Sequence, residues 1–339
     1  MSADATAAAP SPQAPENGRS MPSWLGSLSY RNIGAVYVWG VLILIFTVWK
    51  PSLFPTAQTA KTVVNQYAIT GLAALAVVMP LAAGVFDLSI GATIGFTGVF
   101  AGWAMNTLGL PLGFAVALTL IAGLAIGTLN SIVVVRMNID SFIGTLATGS
   151  IIGAATLWVS GNEIIVGKVS GSFTKIASTD IAGVQLPVIY MLVAMLVLGF
   201  VLEQTVFGRS VYASGYGPEV SRLVGLRVGR IRTLSLLFSG LVGSFAGIAL
   251  ASRIGSADPS VGPEYLIPAF SAAFVGASQF RHGRFNPWGT VVAVLMIGTG
   301  SVGLLLAGTP SWTPQVFQGA VLIAAVGITQ LQRRRPVAD

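Results

Sequence analysis

Few residues in this 339-residue sequence could do acid–base or metal chemistry, and their positions limit what that chemistry is. There is no cysteine and one histidine, His282. Disulfides, thiolate catalysis, zinc–sulfur sites and a histidine cluster are therefore excluded. His282 stands among arginines with no acidic neighbour, so a hydrolytic or transferase site at a membrane surface finds no support. Asp87 stands at the junction of two apolar runs, and Asp140 and Glu203 stand at the ends of others. Carboxylates inside membrane spans usually mark ion or proton pathways, because burying them is costly. None of these three has an ionisable partner within an obvious helical turn. Energy for any transport is expected from elsewhere. Asp87 itself, followed by Leu88-Ser89-Ile90-Gly91, reads as a helix N-cap.

The glycine motifs are checked just as easily. Gly298-Thr299-Gly300-Ser301-Val302-Gly303 matches the dinucleotide fingerprint, but it lies inside an apolar run with no strand before it, so packing is the reading. The nearest approach to a phosphate loop, Gly161 to Gly167-Lys168, has one residue too many and ends in Val169. ATP binding in such a loop is excluded. Pairs at small-x-x-x-small spacing (Gly91/Gly95, Gly123/Gly127, Gly149/Gly153 and Gly243/Gly247) are expected to let helices approach closely where lipid supplies little hydrophobic drive between them.

These residues must be positioned by elements suited to lipid. The composition is 54% hydrophobic and 9% charged, with 41 glycines and a mean hydropathy of +0.80. Soluble domains carry about 25% charged residues, so a soluble enzyme is ruled out. A span needs about 20 apolar residues. Ten stretches qualify or come close: 33–49, 64–84, 86–107, 112–135, 139–160, 186–203, 233–252, 266–279, 287–307 and 313–331. With the N-terminus inside and sides alternating, 13 basic residues fall inside against five outside, as the positive-inside rule requires. The expected fold is an all-α integral membrane protein, a polytopic bundle of about ten helices with both termini cytoplasmic. Residues 1–28, rich in Ala, Pro and Ser, read as a disordered cytoplasmic tail. Residues 29–332 form the membrane domain, with an external loop at 161–185, a cytoplasmic loop at 204–232, and a short basic tail at 333–339. The net charge of +7 follows from this orientation and does not indicate nucleic acid.

The 204–232 loop carries five arginines around a glycine-rich centre. A bend at Gly215-Tyr216-Gly217-Pro218 leads into a short helix starting near Pro218-Glu219 and stopping at Gly225, with proline at the start and glycine at the end. A short helix flanked by arginines is something a cytoplasmic partner could grip.

This loop, in the run Phe207-Gly208-Arg209-Ser210-Val211-Tyr212-Ala213 followed by Glu219 and Arg222-Leu223-Val224-Gly225-Leu226, resembles the cytoplasmic loop of ribose/xylose/arabinose-type ABC transporter permeases. Gly84-Val85-Phe86-Asp87-Leu88-Ser89-Ile90-Gly91 is similar to that family's G-G-I-D-L-S-V-G signature, and Asn130-Ser131 and the segment Asp140 to Leu146 match in type and order. The likeness covers about residues 33–331. It departs at Gly215-Tyr216-Gly217, where the family often has G-G-N, and at 276–287, where a G-G-T-S-x-x-G-G-x-G segment is replaced.

The resemblance implies the membrane subunit of an importer for a monosaccharide or similar small polar solute, in a bacterial inner membrane. It implies a cytoplasmic ATP-binding-cassette ATPase carrying ATP and Mg, an extracytoplasmic solute-binding protein, and a second permease subunit, identical or not. The chain itself binds no cofactor or metal and is not an enzyme. The implied coupling residues are Gly208, Arg209, Gly215, Glu219, Arg222, Leu223, Gly225 and Leu226. Signature or pathway residues are Phe86, Asp87, Ser89, Gly91, Asn130, Phe142 and Thr145, with Asn65 and Thr148 as further candidates for solute contact. Permeases for branched-chain amino acids, nucleosides and autoinducer-type sugars share the general plan. A self-sufficient secondary carrier is the remaining alternative, disfavoured by the shortage of carboxylates.

Overall fold

The computed structural model describes residues 30–166, 171–279 and 283–333. The tail read at 1–28, Lys168, His282 and the basic tail beyond Arg333 lie outside the described residues. The chain is mostly helical, in the order α1 (Tyr30–Trp49), α2 (Ala57–Ala82), α3 (Ile90–Asn106), α4 (Leu112–Ser131, continued by a π-helical turn Ile132–Arg136) and α5 (Ser141–Ser160). A short helix α6 (Gly171–Ser178) and a two-residue hairpin, β1 (Asp180–Ile181) with β2 (Val184–Gln185), follow. Then come α7 (Leu186–Gln204), α8 (Val206–Tyr216), α9 (Pro218–Leu223), α10 (Val228–Ile254), a 3-10 turn (Gly262–Tyr265), α11 (Leu266–Gln279), α12 (Pro287–Leu306) and α13 (Thr313–Arg333).

Each of the ten apolar stretches is a helix, and six are long and apolar enough to cross a membrane: α2, α4 with its π turn, α5, α7, α10 and α12. Two of the others are short for a reason. By the rise of 1.5 Å per residue, α3 and α11 are about 25 and 21 Å long, less than the hydrocarbon thickness. Each follows a segment outside the α-helices, ending for α11 in the 3-10 turn Gly262–Tyr265, that runs back into the bundle before the helix begins. Such backbone is tolerated at membrane depth only when protein, not lipid, surrounds it.

The centre is α2, apolar all round and buried on nearly every side from Tyr67 to Ala82, as a helix without a polar face must be. Its N-terminal part faces the hairpin, where Asn65 Nδ2 donates to Gly183 O (3.2 Å) and Asn65 Oδ1 accepts from Gln185 N (2.9 Å). Asn65, a candidate for solute contact, is thus spent on holding this hairpin. Arg253, at the end of α10, donates to the Asn65 and Gln66 carbonyls. The other end of α2 meets α8, so α2 and α10 run antiparallel.

From this pair two successions of four helices run in opposite senses. The first is α2, α3, α4, α5, of 26, 17, 20 and 20 residues. The second is α10, the 3-10 turn with α11, α12 and α13, of 27, 4 plus 14, 20 and 21 residues. This internal repeat leaves no evident period in the sequence.

Glycines set the closest approaches. A Cβ on Gly127 would stand 2.6 Å from Leu236 O, and one on Gly243 would stand 2.7 Å from Ile90 Cδ1. Gly298, Gly300 and Gly303 receive the rings of Tyr67, Phe317 and Phe46, so the fingerprint-like run is a packing face. Gly153 departs from the expected pattern: nothing lies within 4 Å of a Cβ there, because that side of α5 has no neighbour.

Candidate functional site

The non-helical chain between α2 and α3 is the best-organised polar feature of the bundle. Gly84 turns it with φ +74°, a conformation that side chains resist. Asp87 lies 1% exposed, yet it does not cap α3. Ser89 occupies the N-cap position and makes no side-chain cap bond. Asp87 Oδ1 instead accepts from Ser89 N (3.1 Å) and Ser89 Oγ (2.6 Å), closing a local turn two residues long. The cap expected from the sequence fails because the chain stays non-helical through Leu88, which puts Asp87 too far upstream.

Helices α4 and α5 complete the knot. Asn130 Nδ2 donates to Ser89 Oγ (2.7 Å) and to Asp87 Oδ1 (3.3 Å), while its Oδ1 accepts from Thr148 Oγ1 (2.5 Å). Thr145 Oγ1 accepts from Leu88 N (2.9 Å) and donates to Ser141 O (2.7 Å), and Ser141 Oγ accepts from Phe86 N (3.1 Å). Ser239 of α10 brings its buried hydroxyl near the carboxylate without completing a hydrogen bond. In a low-dielectric interior each unmade bond of this kind would be costly. Ser89, Asn130, Thr145 and Thr148 are therefore turned toward one another, not toward an open space. Gly91 serves the same knot: a Cβ there would stand 3.2 Å from Gly262 O.

The aromatic candidates do face a space. Phe86 and Phe142 approach edge to face at 6.2 Å, and Phe86 also lies against Phe270 and Phe274 at 6.4 and 6.5 Å. Phe274 meets Phe285 at 5.3 Å. These five rings line a cavity of about 600 Å³ bounded by the 84–88 turn, α5, α11 and α13, and by Gly215 at the end of α8. Among the described residues no ionisable side chain lines it. Phe270, Phe274 and Phe285 escaped the sequence reading. The i, i+4 spacing of the first two was the signal available, and it is indistinguishable from ordinary core packing.

The 204–232 segment holds two short helices and the start of α10, where the sequence suggested one short helix. Thr205 Oγ1 caps α8 by accepting from Gly208 N (3.1 Å), and Gly208 lies so close to the Val201 and Leu202 carbonyls that no side chain fits. The end of α8 presses on the end of α2: Gly215 lies against Ala82 O, and a Cβ on Gly84 would stand 3.2 Å from Gly215 Cα. Tyr212 Oη donates to Phe285 O (2.7 Å), and the Arg284 guanidinium sits 4.1 Å over the Tyr212 ring. The turn, the cavity and α8 are thus in direct contact.

Beyond this contact α9 buries Ser221 and turns most of its other side chains to solvent. Gly217 and Pro218 start it, and Gly225 (φ +85°) turns the chain back while Leu226 packs on the core. Glu219 and Arg222 pair at 2.8 Å in solvent, a surface bridge worth little. Leu223 is 86% exposed, with Val224, Val220 and Tyr216 beside it. Arg222 and Arg227 are exposed in the same segment, while Arg209, also exposed, lies near the start of α8 beside Glu203, Tyr212 and Arg284.

A family profile described as branched-chain amino acid transport system / permease component matches residues 59–326. The chain belongs to this family. Proteins named autoinducer 2 import system permease protein LsrD are similar over most of its length. The relative from Photorhabdus laumondii is 30% identical over 309 residues, 87% of this chain and 92% of that protein. The one from Yersinia enterocolitica is 28% identical over 307 residues, again 87% and 92%. The Escherichia coli K12 protein is 30% identical over 267 residues, 77% and 81%. This protein is a multi-pass membrane permease of an ATP-binding-cassette importer. The permease family consists of transport subunits, and importers of this class work with an ATPase and a binding protein.

Proposed function

We propose that this permease forms the path of a neutral, polyhydroxylated solute of the monosaccharide type across a bacterial inner membrane. The cavity beside the 84–91 turn carries this reading. Aromatic faces suit the C–H face of a sugar ring. A zwitterionic amino acid would need a charged partner that the cavity's described lining lacks. The autoinducer 2 named in the relatives is one such solute class.

On this reading the ten apolar stretches cross the bilayer, α3 and α11 together with the segments that lead into them, residues 29–332 being the membrane domain. Both termini, the tails at 1–28 and 333–339 and the 204–232 loop lie in the cytoplasm, and residues 161–185 lie outside. A partner ATPase, which holds ATP and Mg, docks on the apolar knob of α9 beside Arg222 and Arg227, while a binding protein delivers solute outside. A second permease subunit, identical or a sibling, completes the pathway. Movement of α9 reaches the turn through the Gly215–Gly84 and Tyr212–Phe285 contacts. A partner that holds α9 differently in its two nucleotide states would shift the population of the bundle.

The test reconstitutes the permease with its ATPase and binding protein in liposomes and measures ATP-dependent uptake of ribose, autoinducer 2 and leucine. Uptake of a sugar but not leucine is expected. Leu223→Glu should abolish uptake and ATPase association with the melting temperature of the permease unchanged. Uptake without any ATPase would refute the reading.

A further inference from the structure

The signature turn has a twin. Gly84-Val85-Phe86-Asp87-Leu88-Ser89-Ile90-Gly91 and Gly255-Ser256-Ala257-Asp258-Pro259-Ser260-Val261-Gly262 share Gly, Asp, Ser and Gly at the same four positions. The conformations agree as well. Gly84 and Gly255 take φ +74° and +73°. Asp258 Oδ1 accepts from Ser260 N (2.8 Å) and Ser260 Oγ (2.6 Å), the same two bonds that Asp87 accepts from Ser89. Each turn follows the long first helix of its four-helix succession, and the two run toward each other from opposite ends of the bundle. They meet in its middle, where a Cβ on Gly262 would stand 2.5 Å from Gly95 Cα and 2.6 Å from Gly91 O.

Their surroundings differ. Phe86 and Val85 of the first turn border the open cavity of about 600 Å³, together with Leu266 and Ile267 of α11. The offset of 171 residues between the turns carries Val85, Phe86 and Leu266 onto Ser256, Ala257 and Gly95. Those three residues border a void of only about 10 Å³. A strap seals that end: Ile165 N donates to Ala257 O (3.0 Å) and Ala257 N donates to Ile165 O (3.1 Å). The same offset carries Ile267 and Phe274 onto Phe96 and Trp103 of α3. With Phe100 between them, these make a half-buried aromatic ladder with ring separations of 5.5 Å at each step.

We infer that the Gly255–Gly262 turn and the Phe96–Trp103 face of α3 form the external half of the solute path. Inverted repeats permit two states in which the halves exchange conformation. Here the half at the α8 end is open and its twin is shut. In the opposite state the Ile165 strap parts, the Ser256–Asp258 turn lines a cavity, and a sugar ring meets Phe96 and Trp103 before it reaches Phe270 and Phe274. This rests on the importer reading and its orientation.

The chain has no cysteine, so a single introduced thiol reports its own surroundings. Ser256→Cys and Ile267→Cys are made separately and labelled with a membrane-impermeant maleimide, from outside and from the cytoplasmic side respectively. In the assembled transporter, Mg-ATP with orthovanadate should raise labelling at position 256 and lower it at 267. If uptake is intact and labelling at 256 stays constant, or both sites move together, the inference is overturned. Absence of ATP-driven uptake by the parent assembly would instead count against the importer reading. A second arm needs no partner: Ile165→Pro removes one strap donor. It should raise external labelling of Ser256→Cys in the isolated permease by about fivefold, the change expected from about one net hydrogen bond. No rise there would also overturn the inference.

Discussion

The Gly84–Gly91 and Gly255–Gly262 turns have the same spacing of Gly, Asp and Ser and the same local hydrogen bonds, yet different neighbours. Asp87 is sealed among α4, α5 and α10, with Asn130 reaching its carboxylate. Among the described residues the only hydrogen bonds to the Asp258 side chain come from Ser260, two residues on, and Asp258 is half-buried. Local sequence sets the shape of such a turn, whereas its packing decides how much the bundle depends on it. One copy serves as a joint between helices, the other as a surface closed by a strap.

The largest test of that contrast is where the turns meet. Gly262→Val would drive a side chain into the backbone of Gly91 and Gly95, where no rotamer relieves the clash. Loss of the folded, detergent-stable subunit in size-exclusion chromatography is expected, since a clash with backbone exceeds the usual overpacking cost of about 1–3 kcal/mol. A well-folded Gly262→Val protein would show that the two turns are not in contact.

Next comes the aspartate pair. Asp87→Ala strands Ser89 N, the Ser89 hydroxyl and one Asn130 amide proton in a dry site, at about 1–3 kcal/mol per orphaned group. Asp258→Ala leaves donors that water can reach, so its loss should be no more than about 1 kcal/mol. Thermal unfolding of the two variants should rank them in that order. Equal destabilisation would remove the distinction between joint and surface.

A smaller effect is expected at the rings. Phe86→Ala removes three ring contacts around the cavity. At about 0.5–1.5 kcal/mol for an aromatic pair, the lost face should raise the KM for uptake by about twofold to tenfold. An unchanged KM would place the solute elsewhere. The smallest effect belongs to Gly153→Ala, whose added methyl meets open space. Its melting temperature should stay level or rise slightly, as expected for Gly→Ala in a helix at up to about 1 kcal/mol. A marked drop would reveal a neighbour on that face of α5.

Much of this was legible beforehand. Apolar runs of nearly span length produced helices at all ten places, because a backbone in lipid has almost no alternative to internal hydrogen bonding. The start of α9 and its turn at Gly225 followed from proline and glycine positions. Asp87 was singled out correctly and given the wrong partner, since a cap and a local Asx turn use the same residue types within two positions. Ser89, Asn130, Thr145 and Thr148 could have faced solute or one another. Only the packing of α4 and α5 onto the 84–88 turn decided the matter.

The sequence by itself determined the solvent, the helical form of the apolar stretches and the lack of cysteine and of a histidine cluster, all consequences of composition and run length. Tertiary structure alone decided that α3 begins only at Ile90, which hydroxyls are spent on the knot, and which phenylalanines share a cavity. It also made a functional pair of two turns 171 residues apart, whose eight-residue pattern is too sparse to stand out along a chain with 41 glycines. Their relation becomes visible only when two antiparallel successions of helices bring Gly91, Gly95 and Gly262 together. The physical reason is that burial and hydrogen bonding in lipid are local demands that composition answers, whereas pathways form between segments distant in sequence.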